Sequence, residues 1–278
     1  MKTITIPDEM NLEKAQLVHV VDYNSSKDVS KQQIILNQNI ISFLIEGTKE
    51  VIFDNAASSI DSSKFIIMRS GNCLMTEKKI SGNSNYKSIL LFFSNDTVNN
   101  FIRKMKLERY ESIVSKSVYA FDYDEFIKRF VDSLVDISQL SVTVQGKLLE
   151  VKFEEIMLYL TDKYGTDFLY SLATNGDHTA QKFIRTIENS HLSKLTVKEL
   201  AFLCNMSVST FKREFEKYYS ESPMKWFQNK RLEHAHYLLS QEKSPSEVYF
   251  EAGYENFSSF SQAYKLKYGV TPRDHKKV

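Results

Sequence analysis

Residues 196–223 read TVKELAFLCNMSVSTFKREFEKYYSESP, and residues 244–272 read SPSEVYFEAGYENFSSFSQAYKLKYGVTP. The two stretches are copies of one pattern. Phe211, Phe215, Tyr219, Ser222 and Pro223 recur 49 residues later as Phe260, Tyr264, Tyr268, Thr271 and Pro272, while Thr196 and Glu199 recur 48 residues later as Ser244 and Glu247. Such self-similarity marks a repeated supersecondary unit. Each copy opens on a capping box, in which a hydroxyl serves the third helical amide and a glutamate reaches back to the cap amide. Pro245 strengthens the second box, because at the first helical position it gives up an amide that has no partner. Each unit is therefore predicted to be a capped helix, a short turn and a second helix, with the turn one residue longer in the second unit. Ser222 and Pro223 then open a connecting helix to about Ser240, apolar at Phe227, Leu232, Ala235, Leu238 and Leu239. At ~1.5 Å per residue it spans roughly 25 Å. A rigid spacer of that length suits two helices set near the ~34 Å repeat of one DNA face.

The second helix of the first unit divides by side-chain type. Val208, Phe211, Phe215 and Tyr218 form one stripe, and Ser209, Thr210, Lys212, Arg213, Glu216 and Lys217 point elsewhere. Small hydroxyls at the start of a helix and a Lys-Arg pair one turn later suit the major groove, where they meet base edges and phosphates. A single basic helix pair is more often the solvated side of a bundle. The duplicated boxes, the matching aromatics and the spacer reverse that preference.

The net charge of +1 conceals an asymmetry. Residues 181–278 hold 16 Lys and Arg against 11 Asp and Glu, or +5, and residues 1–180 hold 20 against 24, or −4. A basic C-terminal part on a mildly acidic one fits a DNA reader joined to a sensing or assembly domain. The 278 residues suit two domains. Short segments rich in β-branched and aromatic residues (Leu17–Val21, Gln33–Leu36, Ile40–Ile45, Val51–Phe53, Phe65–Met68 and Ile89–Phe93) are separated by turn residues at Glu46-Gly47, Asp54-Asn55, Ser70-Gly71-Asn72 and Gly82-Asn83. They predict a β-barrel or sandwich over 1–95. Over 96–173, Phe101, Phe126, Phe130, Leu134 and Ile137, then Leu148, Val151, Glu155, Leu158 and Tyr159, recur at helical spacing, on helices that pack on the barrel or on a partner subunit. A linker is expected over 174–180, followed by a helix near Phe183–Glu188 and the DNA-binding domain over 181–278. The expected fold class is α+β: an N-terminal barrel with helices, then an all-α domain of two helix-turn-helix units joined by a spacer helix.

Residues Leu195 to Lys277 resemble the AraC/XylS family of transcription regulators. The resemblance is carried by Glu199-Leu-Ala201, Met206-Ser207, Phe211, Arg213 and Phe215 in the first unit, by Arg231-Leu232, Ala235 and Leu238-Leu239 in the connector, and by Gly253-Tyr254, Ser259-Phe260-Ser261, Tyr264-Lys265, Tyr268-Gly269 and Thr271-Pro272 in the second unit. It implies recognition helices at about Ser207–Tyr218 and Phe257–Lys267, with base contacts from Ser209, Thr210, Lys212 and Arg213 and from Ser258, Ser259 and Gln262. Ser207, Lys217 and Lys265 complete the expected DNA-binding set. Several positions depart from the family pattern: Gln262 stands where Arg is common, Tyr249 replaces a small Ala, Ser220 replaces a C-cap Gly, and His275-Lys276 replaces Tyr-Arg. The N-terminal half is similar to the cupin-like sensor domains of family members that activate type III secretion, a subset that answers to partner proteins rather than sugars. By this resemblance the chain is a dimeric activator of promoter DNA that recruits RNA polymerase, controlled by a small-molecule or protein effector.

Catalytic chemistry has little to work with. Residues 1–180 contain only His19 and His178, too few for a cupin metal centre. No Gly-rich phosphate loop, nucleophile elbow or Cys-x-x-Cys occurs. Cys73, beside Leu74 and Met75, is read as a strand residue, Cys204 as a small core residue and Trp226 as packing for the spacer helix. No metal, no cofactor, no enzyme activity and no membrane span are expected, and a cytoplasmic location fits the two lone cysteines. Two other readings stay open at this point: an interaction protein whose helix-turn-helix units no longer bind DNA, and a cupin-fold enzyme with a DNA-binding appendage.

Overall fold

The computed structural model describes residues 3–10, 12, 16–53, 57–80, 85–108, 116–173 and 179–277. The turns expected at Asp54-Asn55 and Gly82-Asn83, the linker residues 174–178 and His178 lie outside the described residues. The chain divides into two compact units, Met1–Lys182 and Phe183–Val278.

The first unit is built from ten strands: β1 (Ile4–Ile6), β2 (Val18–Ser25), β3 (Val29–Leu36), β4 (Asn39–Glu46), β5 (Thr48–Ile52), β6 (Ala57–Asp61), β7 (Lys64–Met68), β8 (Gly71–Lys78), β9 (Tyr86–Phe93) and β10 (Val118–Asp122). They form two five-stranded sheets, ordered β1-β3-β8-β5-β6 and β10-β7-β4-β9-β2. Among the described strands only β1 runs parallel to its neighbour. One core is built from both sheets, with Ile34, Val51 and Met75 of the first and Ile40, Ile66 and Phe92 of the second. The second sheet is also covered outside by helices α1 (Asn95–Lys104), α2 (Glu125–Ser138), α3 (Val142–Tyr164) and α4 (Asp167–Ala173). There Phe43 meets Phe130 at 5.7 Å and Phe93 meets Phe153 at 4.9 Å between ring centroids. A strand buried on both faces has no polar side to show, which is why Ile89-Leu-Leu-Phe-Phe93 is continuously apolar. Gly47, at the β4–β5 turn, has φ +110°, and a Cβ there would sit 2.7 Å from the Lys78 carbonyl oxygen and 2.8 Å from the Tyr86 ring. The glycine is required on both counts.

The helices divide the residues expected to pack either on the barrel or on a partner subunit. Phe101, Phe130, Leu134 and Ile137 are buried as predicted, but the α3 stripe of Leu148, Val151 and Leu158 is exposed. The side of α3 that covers the sheet is Leu149, Phe153, Ile156, Met157 and Leu160. Both sides of this helix are apolar, so helical spacing alone does not choose between them. Phe126 is also exposed and stacks on Tyr159 with centroids 4.0 Å apart.

The second unit contains α5 (Thr179–Asn189, which begins at the boundary), α6 (Val197–Leu203), α7 (Val208–Tyr219), α8 (Pro223–Ser240), α9 (Pro245–Glu251), α10 (Phe257–Tyr268) and a final 3-10 turn over Pro272–Lys277. The offsets read from the sequence reappear in these bounds: α10 follows α7 by 49 residues, and α9 follows α6 by 48. The extra residue lies in the turn before α10.

Asp124 ties the first unit's helices together. It caps α2 by accepting from the Ile127 amide at 2.9 Å, and it also takes hydrogen bonds from Tyr159 and Lys163 of α3. Burial pushes its carboxyl up, but the donors from Lys163, Tyr159 and the Ile127 amide outweigh burial and hold it down at about 2. Because the folded value lies below that of the unfolded chain, this stabilisation is complete above about pH 4 and is lost as pH falls toward about 2. Asp124→Ala should lower stability at neutral pH by about 1 kcal/mol through the lost cap. Its acid unfolding, followed by far-ultraviolet circular dichroism, should lose that part of the pH dependence.

Candidate DNA-binding interface

The two helix-turn-helix units are held by two separate cores that meet on one helix. Phe183 and Ile187 of α5, Leu200 of α6 and Phe211 and Phe215 of α7 pack with Trp226 and Phe227 at the start of α8. Leu232, Ala235, Leu238 and Leu239 further along α8 pack with Val248 of α9 and Phe260 and Tyr264 of α10. Trp226 is thus a packing residue, 5.6 Å from Phe215 and 4.8 Å from Tyr219 between ring centroids. Cys204 is buried in the first of these cores.

Local capping fixes where each helix of the two units begins, with a capping box at the start of α6 and of α9. In the first unit Glu199 donates its amide to Thr196 Oγ1 at 3.2 Å, and the Thr196 amide donates to Glu199 Oε2 at 2.7 Å. In the second, Glu247 Oε2 accepts from the amide and the hydroxyl of Ser244, at 3.2 and 2.8 Å. These bonds hold the Glu247 carboxyl below its ordinary value, the Ser244 hydroxyl contributing most. The α7 cap is Ser207, which accepts from the Thr210 amide at 3.1 Å, and the α10 cap is Asn256, which accepts from the Ser259 amide at 2.9 Å.

With the helices placed, the polar residues fall on matching stripes. On α7, Ser209, Lys212, Arg213 and Glu216 stand at i, i+3, i+4 and i+7, and all four are exposed. On α10 the corresponding positions are Ser258, Ser261, Gln262 and Lys265, exposed except for the half-buried Ser261. Each stripe carries a formal charge of +1. Thr210 is half-buried and Ser259 is exposed. Ser207 and Lys217 are exposed but already partnered: the Ser207 hydroxyl donates to Thr210 Oγ1 at 2.9 Å, and Lys217 pairs with Glu214 at 2.6 Å. The apolar stripe expected on α7 is narrower than read. Phe211 and Phe215 are fully buried, whereas Val208 is 38% and Tyr218 47% exposed, the latter lying 5.7 Å from Phe183.

The departures from the family pattern acquire local reasons. Tyr249 is half-buried and sets its ring edge against Phe257, 6.0 Å between centroids. The hydroxyl of the buried Tyr264 bridges His236 Nδ1 at 2.8 Å and His275 Nδ1 at 2.7 Å, so His275 closes the second core. Burial, then His236, holds the His275 imidazole below its ordinary value. Two features escaped sequence reading. Lys267 reaches back to α8, donating to the Asn229 carbonyl at 2.9 Å and pairing with Glu233 at 3.1 Å. Leu266 stands 90% exposed among the polar residues of α10, and an apolar residue one turn after Gln262 is the signal that marks it. Such a side chain suits contact with a thymine methyl.

Among the described residues no three His, Cys, Asp or Glu side chains gather into a metal-binding group, and no helix is long and apolar enough to cross a membrane. Cys73 is buried in the barrel, where burial pushes its thiol up to about 12, so the thiolate that redox chemistry requires is suppressed.

The family described as the ExsA N-terminal regulatory domain matches residues 39–172, and the family described as a helix-turn-helix domain matches residues 200–277. The virulence regulon transcriptional activator VirF of Yersinia enterocolitica is 28% identical over 166 residues, 59% of this chain and 61% of that protein. The thermoregulatory protein LcrF of Yersinia pestis is 28% identical over 56% of this chain and 58% of its own length. The regulator ExsA of Pseudomonas aeruginosa is 27% identical over 44% of this chain and 45% of its own. The matches thus span about three fifths or less of the length of these curated relatives. Among solved structures, apo ToxT of Vibrio cholerae superposes over 95% of this chain and 97% of its own, at 14% identity and a TM-score of 0.46.

The C-caps of the two reading helices supply a test of the repeat. Ser220 after α7 and Gly269 after α10 both adopt left-handed backbone, with φ 54° and 78°, and each donates its amide four residues back. A side chain in that conformation costs about 1 kcal/mol. Around Gly269 an added Cβ would meet nothing within 4 Å, so the cost there is conformational rather than steric. Ser220→Gly is expected to raise stability by about 1 kcal/mol and Gly269→Ala to lower it by a similar amount, read from thermal unfolding of the full chain.

Proposed function

We propose that this chain, a member of the AraC/XylS family of transcription regulators, binds promoter DNA through α7 and α10 and activates transcription. The observation that carries the reading is the pair of exposed polar-cationic stripes at equivalent positions of a repeat built on one rigid helix. Arg213 has the geometry to take guanine O6 and N7 in a bidentate way, and Gln262 at the equivalent position suits adenine N6 and N7. Ser209, Thr210, Ser258 and Ser259 sit at the helix starts, where they reach base edges or phosphates, and Lys212 and Lys265 add positive charge. Ser207 and Lys217 contribute by exchanging an internal partner for a phosphate. The names of VirF and LcrF, an activator and a thermoregulatory protein, support regulation of transcription, and activation implies contact with RNA polymerase in the cytoplasm. Residues 1–95 and 96–173 form the sensory and dimerisation parts of a regulatory domain and 181–278 the DNA-binding domain; of the linker expected over 174–180, residues 179 and 180 belong instead to the first turn of α5.

Dimerisation is assigned to the outer side of α3. Val144, Leu148, Val151, Glu155 and Leu158 are spaced by four, three, four and three residues, the seam of a two-stranded coiled coil. Val144, Leu148, Val151 and Leu158 are 38–64% exposed, and water is a poor neighbour for such a row. A second copy offers the same row, and two-fold pairing makes it self-complementary.

Three measurements test this reading. Replacing Lys212 and Arg213 together by Ala should weaken sequence-specific binding of promoter DNA by about thirtyfold or more in Kd, at about 1–3 kcal/mol per contact, while the thermal midpoint stays in place. The parent protein should lose affinity steeply with salt through counterion release. A flat salt response would favour an interaction protein that no longer reads DNA. Val151→Glu combined with Leu158→Glu should convert the dimer to a folded monomer in sedimentation equilibrium.

A further inference from the structure

The second helix-turn-helix core closes on a hydrogen-bonded bridge rather than on hydrocarbon alone. Tyr264 of α10 is fully buried, and its hydroxyl lies 2.8 Å from His236 Nδ1 on α8 and 2.7 Å from His275 Nδ1 on the final 3-10 turn. The two imidazoles, each half-buried, meet edge to face with ring centroids 4.6 Å apart, and His236 also stacks on Tyr268 at 4.4 Å. The same turn buries Pro272 and lays the Arg273 guanidinium over the Phe257 ring, 5.4 Å from its centroid. It thus holds α10 at its first residue and again past its middle, and that helix carries the exposed Ser258, Gln262 and Lys265.

Proton counting makes the bridge sensitive to acid. A tyrosine hydroxyl has one proton to give and lone pairs with which to accept, so one imidazole takes the hydroxyl proton on a bare Nδ1 while the other donates its Nδ1–H to the oxygen. One added proton leaves this intact, because the donating imidazole charges at its outer Nε2 and still donates. A second added proton breaks it. Both Nδ1 atoms then carry hydrogen, the buried hydroxyl proton has no acceptor, and two like charges stand with their rings 4.6 Å apart. The facing groups carry no net negative charge to offset them. Glu233 of α8 lies between Lys230 and Lys267 of α10, at 3.2 and 3.1 Å. On the turn, Asp274 accepts from Thr271 Oγ1 at 2.6 Å and stands beside the cationic Arg273. Tyr268 is a neutral phenol. Burial, then His236, already holds the His275 imidazole below its ordinary value. Because the folded value lies below the unfolded one, the stabilisation is complete above about pH 6.5 and is lost as pH falls below it.

Resting on the reading of α10 as a DNA-reading helix, we infer that His236, Tyr264 and His275 form an acid-released latch: protonating both imidazoles frees the C-terminal turn and withdraws base reading by α10. The first unit has its own core, so α7 goes on reading. In mild acid the chain becomes a regulator with one working unit in place of two. Histidine is the side chain whose ordinary titration falls in this range, about pH 5 to 8. Position 275 is also one at which the chain departs from the family pattern, whose tyrosine would not titrate there.

Hydroxyl-radical protection of a bound promoter fragment by the full-length protein, at about pH 7.5 and about pH 5.5, reads the two units separately. On acidification the affinity is expected to fall about tenfold, and at saturating protein the patch read by α10 should lose protection while the patch read by α7 keeps it. His236→Gln and His275→Gln each supply a side chain that hydrogen-bonds and takes up no proton. Each should bind normally at the higher pH and lose the acid effect, whereas His234→Gln, two residues away on α8, should retain it. Imidazole nitrogen resonances give a readout without DNA: His275 should titrate at higher pH in His236→Gln than in the parent. Should either bridge variant fail to fold, the other decides, together with the parent's own footprints. Protection by α10 that is unchanged in acid, equal loss of both patches, an acid loss that survives in a folded bridge variant, or a His275 titration unmoved by His236→Gln overturns the inference. Absence of any protected patch at the higher pH contradicts the DNA-binding assignment instead, and the imidazole titration then tests the latch alone.

Discussion

The constraint on which the DNA-reading unit depends is the sharing of α8 between two cores. Trp226 and Phe227 belong to the first core, and Leu232, Ala235, Leu238 and Leu239 to the second. Each helix-turn-helix unit alone is a few short helices, too small to bury a core of its own. Fastened to one continuous helix they become a single body, and the angle and spacing of α7 and α10 are set by that helix rather than by a flexible connection. Sequence-specific binding by two short helices requires this, because the entropy of ordering them has been met in folding and is not met again on the DNA.

The regulatory unit is organised around a sheet that is buried on both sides. One side closes a barrel and the other carries α1 to α4. A helix layer over such a sheet must present an apolar face inward, and α3 does so with Phe153, Ile156 and Leu160. Its second apolar row then has no partner within the described chain, and it is this row that gives the proposed dimer its physical motive. Inside the barrel the logic is inverted. Lys49 and Glu77, 3.2 Å apart and both buried, put charge where packing would favour hydrocarbon.

Much of this was legible in the sequence, though unevenly. The helix-turn-helix repeat could be read because capping boxes and aromatic positions recur at a fixed offset, and those signals are local. The exposed positions of Ser209, Lys212 and Arg213 followed from helical periodicity, whereas Ser258, Gln262 and Lys265 were reached through the family resemblance. The strands that escaped are those whose pattern is mixed. β8 carries Asn72, Thr76 and Glu77 in buried positions, and β6 has one buried residue, Ile60. β10 lies beyond α1, in a region read as helical. The Lys49–Glu77 pair depends on strand register across a sheet, which no local pattern reports. On α3 both sides are apolar, so only the tertiary packing tells the core side from the exposed side.

The central claim is that α7 and α10 enter neighbouring major grooves on one side of a duplex. Hydroxyl-radical footprinting combined with methylation interference on a bound promoter fragment tests it most directly. The account predicts two protected patches about one helical turn, or ~10 base pairs, apart for each monomer, with guanine interference in the patch read by α7 that is relieved in Arg213→Ala. One protected patch per monomer, or two patches on opposite sides of the helix, would contradict it.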